Sequence, residues 1–341
     1  MARLVIALMG MAAATAYGHH SRAPFVLDET FEVEGTVAEV SWRSPHIYMV
    51  VDVPDDDGGT AAWTFEGHSI AGLMRFGWQP DTFEVGDRII VVANPNRDPD
   101  TLFGLLDNVT GTDGETYYSF RIPPESGGNP SRRPVSGSTD FSGAWNRQGT
   151  LQQALVGGFG APQGYPVNDR GQALLDAYNP NDAPSFDCLP DSVPGITLAP
   201  YTHRWIREND RIVIEKDQSQ AVRIIHLDGS GLPDNWEPDP LGYSVGRFEA
   251  DGTLVVETTG FAPSRWGIAR GLDSSASKKV TERFQLNDDG YEISVSITVE
   301  DPEFLVSPYT RQGGYSKVRD HEFSTIACDL DTARRHLQFE N

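Results

Sequence analysis

The chain has 341 residues, and its 27 Lys and Arg against 49 Asp and Glu give a formal net charge of −22. This charge repels polyphosphates and anionic lipids, and the sequence segregates no basic patch, so we expect no nucleic-acid partner. Hydrophobic residues make up 38% of the chain, with 7 Trp and 16 Phe, which excludes a disordered chain. The length favours two folded domains.

The first residues have the pattern of a signal peptide. Arg3 gives a positive start, residues 4–14 form an apolar run, and Ala16-Tyr17-Gly18 gives a cleavage site of small residues. The apolar run is shorter than the roughly 20 residues that span a bilayer. We therefore expect a signal peptide at 1–18, a periplasmic or secreted mature protein and no transmembrane segment after cleavage. The alternative is an uncleaved anchor.

The expected cleavage exposes histidines that can bind metal. Cleavage after Gly18 starts the mature chain at His19, whose amine and imidazole can chelate one ion, with His20 or His46 as a further ligand. Cleavage after Ala16 instead gives an amino-terminal x-x-His site. Nitrogen-rich sites of this kind favour copper. The alternative is that these histidines are only solvated.

Residues 19–122 show the element order of a small β-barrel. Three short strand patterns precede a short helix, which Ser69 can cap and Gly77 can close, and two further strand patterns follow. Three strands, a helix and two strands is the order of an OB-type barrel. We therefore predict an OB-like domain over 19–122.

A linker separates this region from a second β-rich half. Residues 123–139 consist largely of Pro, Gly and Ser, which resist regular structure. After the linker, turn signals such as Asp251-Gly252 and Asp289-Gly290 separate strand patterns. About eight strands joined by tight turns close most economically as an up-and-down barrel, which we predict over 140–335.

Two cysteines occur in the chain, Cys188 and Cys328. In an oxidising compartment an isolated pair is typical of one disulfide that closes a long loop. The alternative is two free buried thiols.

Several segments resemble a known family of exported bacterial proteins. The paired His19-His20, the phrase from Ser44-Pro45-His46 to Val53 and the segment from Trp63 to Trp78 are similar to the DUF6152 family, over roughly the first 120 residues. In the second half, Gly143-x-Trp145 resembles the opening motif of lipocalin-like barrels. The resemblance implies a mainly β protein, an OB-like small barrel followed by a lipocalin-like antiparallel barrel, but no established activity.

One segment departs from that pattern. Where relatives carry a His shortly before the strand with Glu282-Arg283-Phe284, this chain has Ser274-Ser275-Ala276-Ser277-Lys278. Any role that depends on that His is therefore not expected here.

The second barrel carries the candidate site residues. An aromatic-lined barrel mouth with a few charges is typical of sites for small, partly apolar molecules. The polar and aromatic groups on or beside its predicted strands, which we predict to bind such a molecule, are His203, Trp205, Trp236, Arg247, Trp266 and Arg283.

An enzyme is the competing hypothesis for the same barrel. His226 with Glu249 or Glu282 could form an acid–base pair for a cofactor-independent hydratase, isomerase or lyase. The alternative is that Arg247 and Arg283 form structural salt bridges with neighbouring glutamates. An envelope interaction module without catalysis is the third hypothesis. No glycine-rich phosphate loop occurs, so we expect no nucleotide cofactor.

Overall fold

The computed structural model of this protein describes most of the chain. The described residues are 24–55, 58–119, 140–147, 164–199, 201–217, 221–287, 290–318, 323 and 326–339. The predicted signal peptide at 1–18, His19, His20 and the predicted linker at 123–139 lie outside the described residues. In the described part of the chain, no helix is long and apolar enough to cross a membrane.

The N-terminal half is a small closed barrel. Its elements are β1 (Phe31–Ser41), β2 (Tyr48–Pro54), β3 (Thr60–Glu66), α1 (Ile70–Arg75), β4 (Arg88–Asn94), β5 (Phe103–Thr110) and β6 (Thr116–Tyr118). The strand order is β3-β2-β1-β4-β5-β6, and a parallel pairing of β3 with β5 closes the ring. This topology, with a helix between β3 and β4, confirms the predicted OB-like barrel.

The short helix α1 begins and ends where the sequence predicts. The Ser69 Oγ accepts a hydrogen bond from the Gly72 N–H at 3.2 Å, which satisfies one free donor of the first turn. Gly77 follows the helix with φ of +90°, a conformation that only glycine adopts without strain. Ile70 and Leu73 are buried in the barrel core, so α1 covers one end of the core.

The C-terminal half forms a second, larger closed barrel. Its strands are β7 (Gly143–Arg147), β8 (His203–Arg207), β9 (Arg211–Lys216), β10 (Val222–His226), β11 (Tyr243–Phe248), β12 (Leu254–Thr259), β15 (Lys279–Leu286), β16 (Glu292–Glu300) and β17 (Tyr309–Val318). A separate hairpin, β13 (Ser264–Ala269) with β14 (Leu272–Ser274), lies between β12 and β15 in the chain. Together the two barrels confirm the predicted mainly β fold class.

This barrel differs in one respect from the predicted up-and-down meander of about eight strands. Neighbouring strands of such a meander alternate in direction, so a closed ring of nine strands must contain one parallel pair. That pair is β10 with β11, where Ile225 is paired with Ser244 and His226 with Val245. Parallel neighbours need a crossover of about a dozen residues or more, which residues 227–242 supply. The remaining pairings are antiparallel, including that of β17 with β7, which completes the ring.

Helical segments of the second half lie between β7 and β8 and after β17. These segments are α2 (Asp169–Asp176), two 3-10 turns (Pro180–Asp182 and Pro184–Asp187), α3 (Gly195–Leu198), α4 (Leu330–Ala333) and a last 3-10 turn (Arg335–Phe339).

One of these segments, residues 192–199, contacts the inward-facing side chains of the second barrel, and we call it the plug. It contains α3, whose Ile196, Thr197 and Leu198 are all buried. The Tyr315 hydroxyl of β17 donates a hydrogen bond to the Thr197 carbonyl. At the start of the plug, Lys278 Nζ donates to the Val193 carbonyl at 2.8 Å. The plug therefore occupies space that an empty barrel would leave open.

Residues 326–339, the C-terminal segment, pack against the N-terminal barrel. Phe339 stacks on Phe103 with ring centroids 4.3 Å apart, and the Asp329 N–H donates to the Ser44 carbonyl at 2.9 Å. Cys328 in this segment forms a disulfide with Cys188, which confirms the predicted pairing. The disulfide thus links the segment on the first barrel to the chain that leads into the plug.

Candidate functional site

Strand alternation places His203, Trp205 and Lys216 on the inner face of the second barrel. In β8, His203 and Trp205 are buried and Arg204 between them is exposed, as expected for a strand with one face inside. In β9, Ile214 and Lys216 are the buried members of the same alternation, so they also face the inside of the barrel. His203 is paired with Lys216 and Trp205 with Ile214, so these side chains are direct neighbours across the two strands.

A buried ion pair lies on the same inner face. Arg223 of β10 contacts Glu282 of β15 through Nη2, and their side chains are 4% and 0% exposed. Arg223 also donates to Ser244 Oγ at 3.1 Å and Thr258 Oγ1 at 3.0 Å. The Thr197 hydroxyl of the plug donates to Glu282 Oε1 at 2.6 Å. Because both charges have partners, this pair fixes the plug and leaves little capacity for another ligand.

By contrast, three buried nitrogen atoms in this interior have no hydrogen-bond partner among the described residues. They are Lys216 Nζ, Trp205 Nε1 and His203 Nε2. Their residues are only 4%, 2% and 3% exposed, so bulk water does not satisfy them. The nearest carboxylate to Lys216 Nζ is that of Asp191, at 3.9 Å, which is beyond hydrogen-bond distance.

Burial shifts the ionisation of two of these groups. It lowers the pKa of Lys216 to about 8, partly offset by the negative charge of Asp191. Burial, followed by the charges of Lys216 and Arg223, lowers the pKa of His203 to about 3. At neutral pH the site therefore holds a neutral imidazole beside a lysine that is still mostly protonated.

The three groups line one small cavity. Its apolar walls include Trp205, Ile214 and Phe284 of the barrel and Ile196 of the plug, and Tyr315 and Arg223 complete it. The space has room for about one water molecule. The barrel interior therefore combines apolar rings with unpaired donors, but the plug fills most of the volume next to them.

Two of the predicted ligand-binding residues lie outside this interior. Arg247 contacts Glu257 at 3.0 Å and Arg283 contacts Glu249 through two bonds of 3.0 and 2.5 Å, all on exposed side chains. These are the salt bridges that the sequence offered as the alternative. The physical reason is the alternation of side chains along a strand. The residues on either side of each arginine face inward, so the arginine itself faces outward. The structure therefore places Arg247 and Arg283 on the outer face of the barrel, and a role for them in ligand binding stays a prediction.

The predicted tryptophans at 236 and 266 are also outside the interior. Trp236 packs edge-on against Tyr243 with centroids 5.2 Å apart and donates to the Gly260 carbonyl at 2.8 Å. Tyr243 precedes the inward-facing Ser244 and so points to the opposite face. Trp266 packs against Tyr178 of the segment that follows α2. Of the predicted aromatic residues, the structure thus places only Trp205 inside the barrel.

The structure does not bring the predicted acid–base residues together. His226 stacks on Tyr243 at 4.4 Å, on the outer face, whereas Glu282 lies inside the barrel. Glu249 is outside, and its hydrogen bonds and ion pair with Arg283 hold its pKa below the ordinary value. His226 and Glu282 are therefore kept apart because they face opposite sides of the sheet, whereas the Glu249 carboxylate is held by Arg283. A hydratase, isomerase or lyase activity stays a prediction without a described acid–base pair.

Sequence reasoning missed Lys216, Arg223, Tyr315 and Thr197. The signal for Lys216 was present, since it alternates with the same period as Ile212 and Ile214, but Arg223 lies between Val222 and Ile224, which are apolar and yet exposed, so the sequence did not mark it as inward-facing. A charged residue in the inward phase of an otherwise apolar strand face marks a buried charge. No comparable pattern marks Thr197, whose position depends on how the plug enters the barrel.

In the N-terminal barrel, His46 lies beside a buried carboxylate. His46 Nδ1 is 3.1 Å from the Gly67 carbonyl and 3.4 Å from Glu66 Oε1, and its side chain is 27% exposed. Burial, and then the charge of His46, lowers the pKa of His336 to about 4. Over the described ranges, no group of three or more His, Cys, Asp or Glu is arranged to hold a metal ion. A metal site with His19 and His20 is not tested by this observation.

Comparison with known proteins identifies the first part of the chain. Residues 7–105 match the model of a family of unknown function, DUF6152. This match confirms the family resemblance of the N-terminal region. No curated protein matches the chain.

Solved structures add a distant likeness. The chain is similar to the secretary abundant heat soluble protein from Ramazzottius varieornatus, at 14% identity and a TM-score of 0.28, over 55% of this chain and 100% of that protein. At that score the likeness carries no argument, and the fold rests on the strand pairings described above.

Proposed function

We propose that the C-terminal barrel binds a small, partly apolar molecule in the cavity beside His203, Trp205 and Lys216. The observation that carries this proposal is that apolar rings and unpaired N–H groups face the same space. A buried donor without a partner costs roughly 1–3 kcal/mol, and a ligand that accepts the bond recovers that cost. Mostly apolar walls with a few fixed polar groups are also the usual composition of small-molecule sites.

Binding of a molecule larger than water requires the plug to shift. The bonds that hold the plug involve side chains: Thr197 bonds with Tyr315, Glu282 and Arg223, Lys278 donates to Ser192 and Val193, and Ser192 donates to the Pro240 carbonyl. None of these bonds belongs to the strand ladders of the barrel. Displacement of the plug would break these bonds and the packing of Ile196 and Leu198 but no strand pairing, so we infer that the plug is the element that a ligand displaces.

A titration followed by nuclear magnetic resonance tests this proposal on the full chain. The probes are benzyl alcohol and sodium benzoate, and the observed signals are the indole N–H groups, with Trp205 assigned by Trp205→Phe. We expect at least one probe to shift the Trp205 signal saturably, while the Trp236 signal, on the outer face, stays in place. Failure of both probes to shift Trp205 would contradict the proposal.

We also propose that the mature N-terminus binds copper through His19, His20 and His46. Support comes from His46, because a metal-binding imidazole commonly directs its second nitrogen at a carbonyl or carboxylate, as His46 Nδ1 does toward Gly67 and Glu66. Intact mass of the exported protein fixes the cleavage site. Electron paramagnetic resonance should then show one nitrogen-rich Cu(II) per chain that is lost in His19→Ala. Equal copper binding by the wild type and by His19→Ala would contradict the proposal.

The disulfide supports a further proposal about location. Disulfides persist in oxidising compartments and are rare in the cytosol, so the bond between Cys188 and Cys328 fits a periplasmic or secreted protein. Fractionation of cells that express the full-length chain tests this. Recovery of the protein only in the cytoplasm, with reduced cysteines, would contradict it.

A further inference from the structure

Two of the unpaired groups at this cavity, the ammonium of Lys216 and the indole N–H of Trp205, can only donate hydrogen bonds. A protonated Lys216 offers up to three N–H bonds and Trp205 offers one, and His203 Nε2 adds one more in the tautomer that carries the proton on that nitrogen. These donors lie on neighbouring positions of β8 and β9, where His203 and Lys216 are directly paired. A group that fits them must therefore accept several bonds at once.

The charge at this end of the cavity is positive. The charge of Arg223 is balanced by Glu282, with which it forms a direct ion pair. Lys216 is less closely paired, since the carboxylate of Asp191 is 3.9 Å away on a side chain that is 43% exposed, and its other charge contact is with the Tyr201 ring at 4.9 Å. A single water could occupy the space, but it accepts at most two hydrogen bonds and brings no charge. An anionic oxygen group satisfies both requirements.

We propose that the molecule held in the C-terminal barrel ends in a carboxylate, and that Lys216 Nζ, Trp205 Nε1 and His203 Nε2 bind this group. The inference rests on the proposed function and adds the chemical class of the ligand. The carboxylate lies against β8 and β9, and the apolar remainder lies against Phe284 and Ile214, in the volume that Ile196 of the plug now occupies. Lys216 supplies the charge, while Trp205 and His203 fix the orientation of the two oxygens.

Benzoate and benzyl alcohol form a matched pair for the test, because the first carries a carboxylate where the second carries a hydroxyl. We expect benzoate to bind the full chain at least about tenfold more tightly than benzyl alcohol, measured from the Trp205 indole shift. In Lys216→Met, the preference should disappear while the affinity for benzyl alcohol is kept. Lys279→Met, at an exposed lysine of the same barrel, is the matched control and should keep the preference.

A second variant keeps the test decisive if Lys216→Met does not fold. Trp205→Phe keeps an aromatic ring and removes one N–H, so benzoate should bind several-fold more weakly, with benzyl alcohol unchanged, as measured by calorimetry. Equal affinities of the two probes for the wild-type protein would overturn the inference and leave the proposed function standing. A preference for benzoate that survives in Lys216→Met would also overturn it. Absence of binding by either probe would overturn both.

Discussion

The two barrels of this protein bury different kinds of side chain. The core of the N-terminal barrel is an apolar cluster that includes Val37, Phe65 and Leu106, and the buried carboxylate of Glu66 lies beside His46 and Tyr48. The interior of the C-terminal barrel also holds Arg223, Glu282, Lys216, His203 and Tyr315. Charged groups in a core often cost stability relative to apolar ones of the same volume. The proposed function accounts for this difference by a ligand site inside the second barrel.

The largest expected change in stability comes from removing one partner of the buried ion pair between Arg223 and Glu282. Glu282→Gln leaves the Arg223 charge buried without its partner, so we expect the free energy of unfolding to fall by about 3–5 kcal/mol in urea titrations. Glu257→Gln, on the outer face of the neighbouring strand, is the control and should change stability by less than about 1 kcal/mol. Equal losses of unfolding free energy in Glu282→Gln and Glu257→Gln would show that charges inside and outside the barrel contribute alike to stability.

The disulfide gives the next largest effect, because it joins the two regions being compared. It closes a loop over a sequence separation of 140 residues, so the double variant Cys188→Ser with Cys328→Ser should lose about 2–5 kcal/mol. The Asp329 N–H, which bonds to Ser44 of the first barrel, should also exchange with solvent faster. Unchanged exchange at Asp329 would show that the C-terminal segment stays in place without the bond.

The pH dependence of stability sharpens the contrast further. Burial lowers the pKa of Lys216 to about 8, below its value in the unfolded chain, and Asp191 acts in the opposite direction. The unfolded chain then binds more protons between about pH 8 and 10, so stability of the wild type rises with pH in that window. Lys216→Met removes this rise. The difference in free energy of unfolding between the variant and the wild type should therefore change by roughly 2–3 kcal/mol across the window.

Chemical denaturation at a series of pH values measures that difference. Lys279→Met is the control and should stay within about 0.5 kcal/mol of the wild type at neutral pH. A constant difference between Lys216→Met and the wild type from pH 7 to pH 10 would contradict the placement of the Lys216 amine in a dry interior.

The smallest expected effect concerns the plug. Thr197→Val removes the hydroxyl that donates to Glu282, so stability should fall by roughly 1.5–3 kcal/mol, the range for a bond to a charged group. A looser plug should at the same time bind benzyl alcohol more tightly, which calorimetry can measure. If Thr197→Val weakens both folding and probe binding, the plug is part of the site and not its cover.

Sequence reasoning recovered the first barrel better than the second for a physical reason. In the first barrel, the order of strands around a helix capped by Ser69 defines the topology. In the second, the parallel pairing of β10 with β11 depends on how residues 227–242 cross the barrel, and local turn signals do not encode that path. The fold class was therefore predictable, whereas the number of strands was not.

Residues of the candidate site were predictable from the sequence only where the alternation of side chains along a strand shows which of them face inward. His203 and Trp205 share a phase that places both inside. The charges at Arg247 and Arg283 follow the opposite phase, so the same pattern could have excluded them. The plug could not be found this way, because its helix, Gly195–Leu198, is too short to show a period.

A crystal structure of the full chain with benzoate tests the central claim most directly. The account predicts benzoate inside the C-terminal barrel, its carboxylate within hydrogen-bond distance of Lys216 Nζ and Trp205 Nε1, and the helix Gly195–Leu198 displaced from its present place. Benzoate bound elsewhere, with the plug in place and only water beside Lys216, would contradict it.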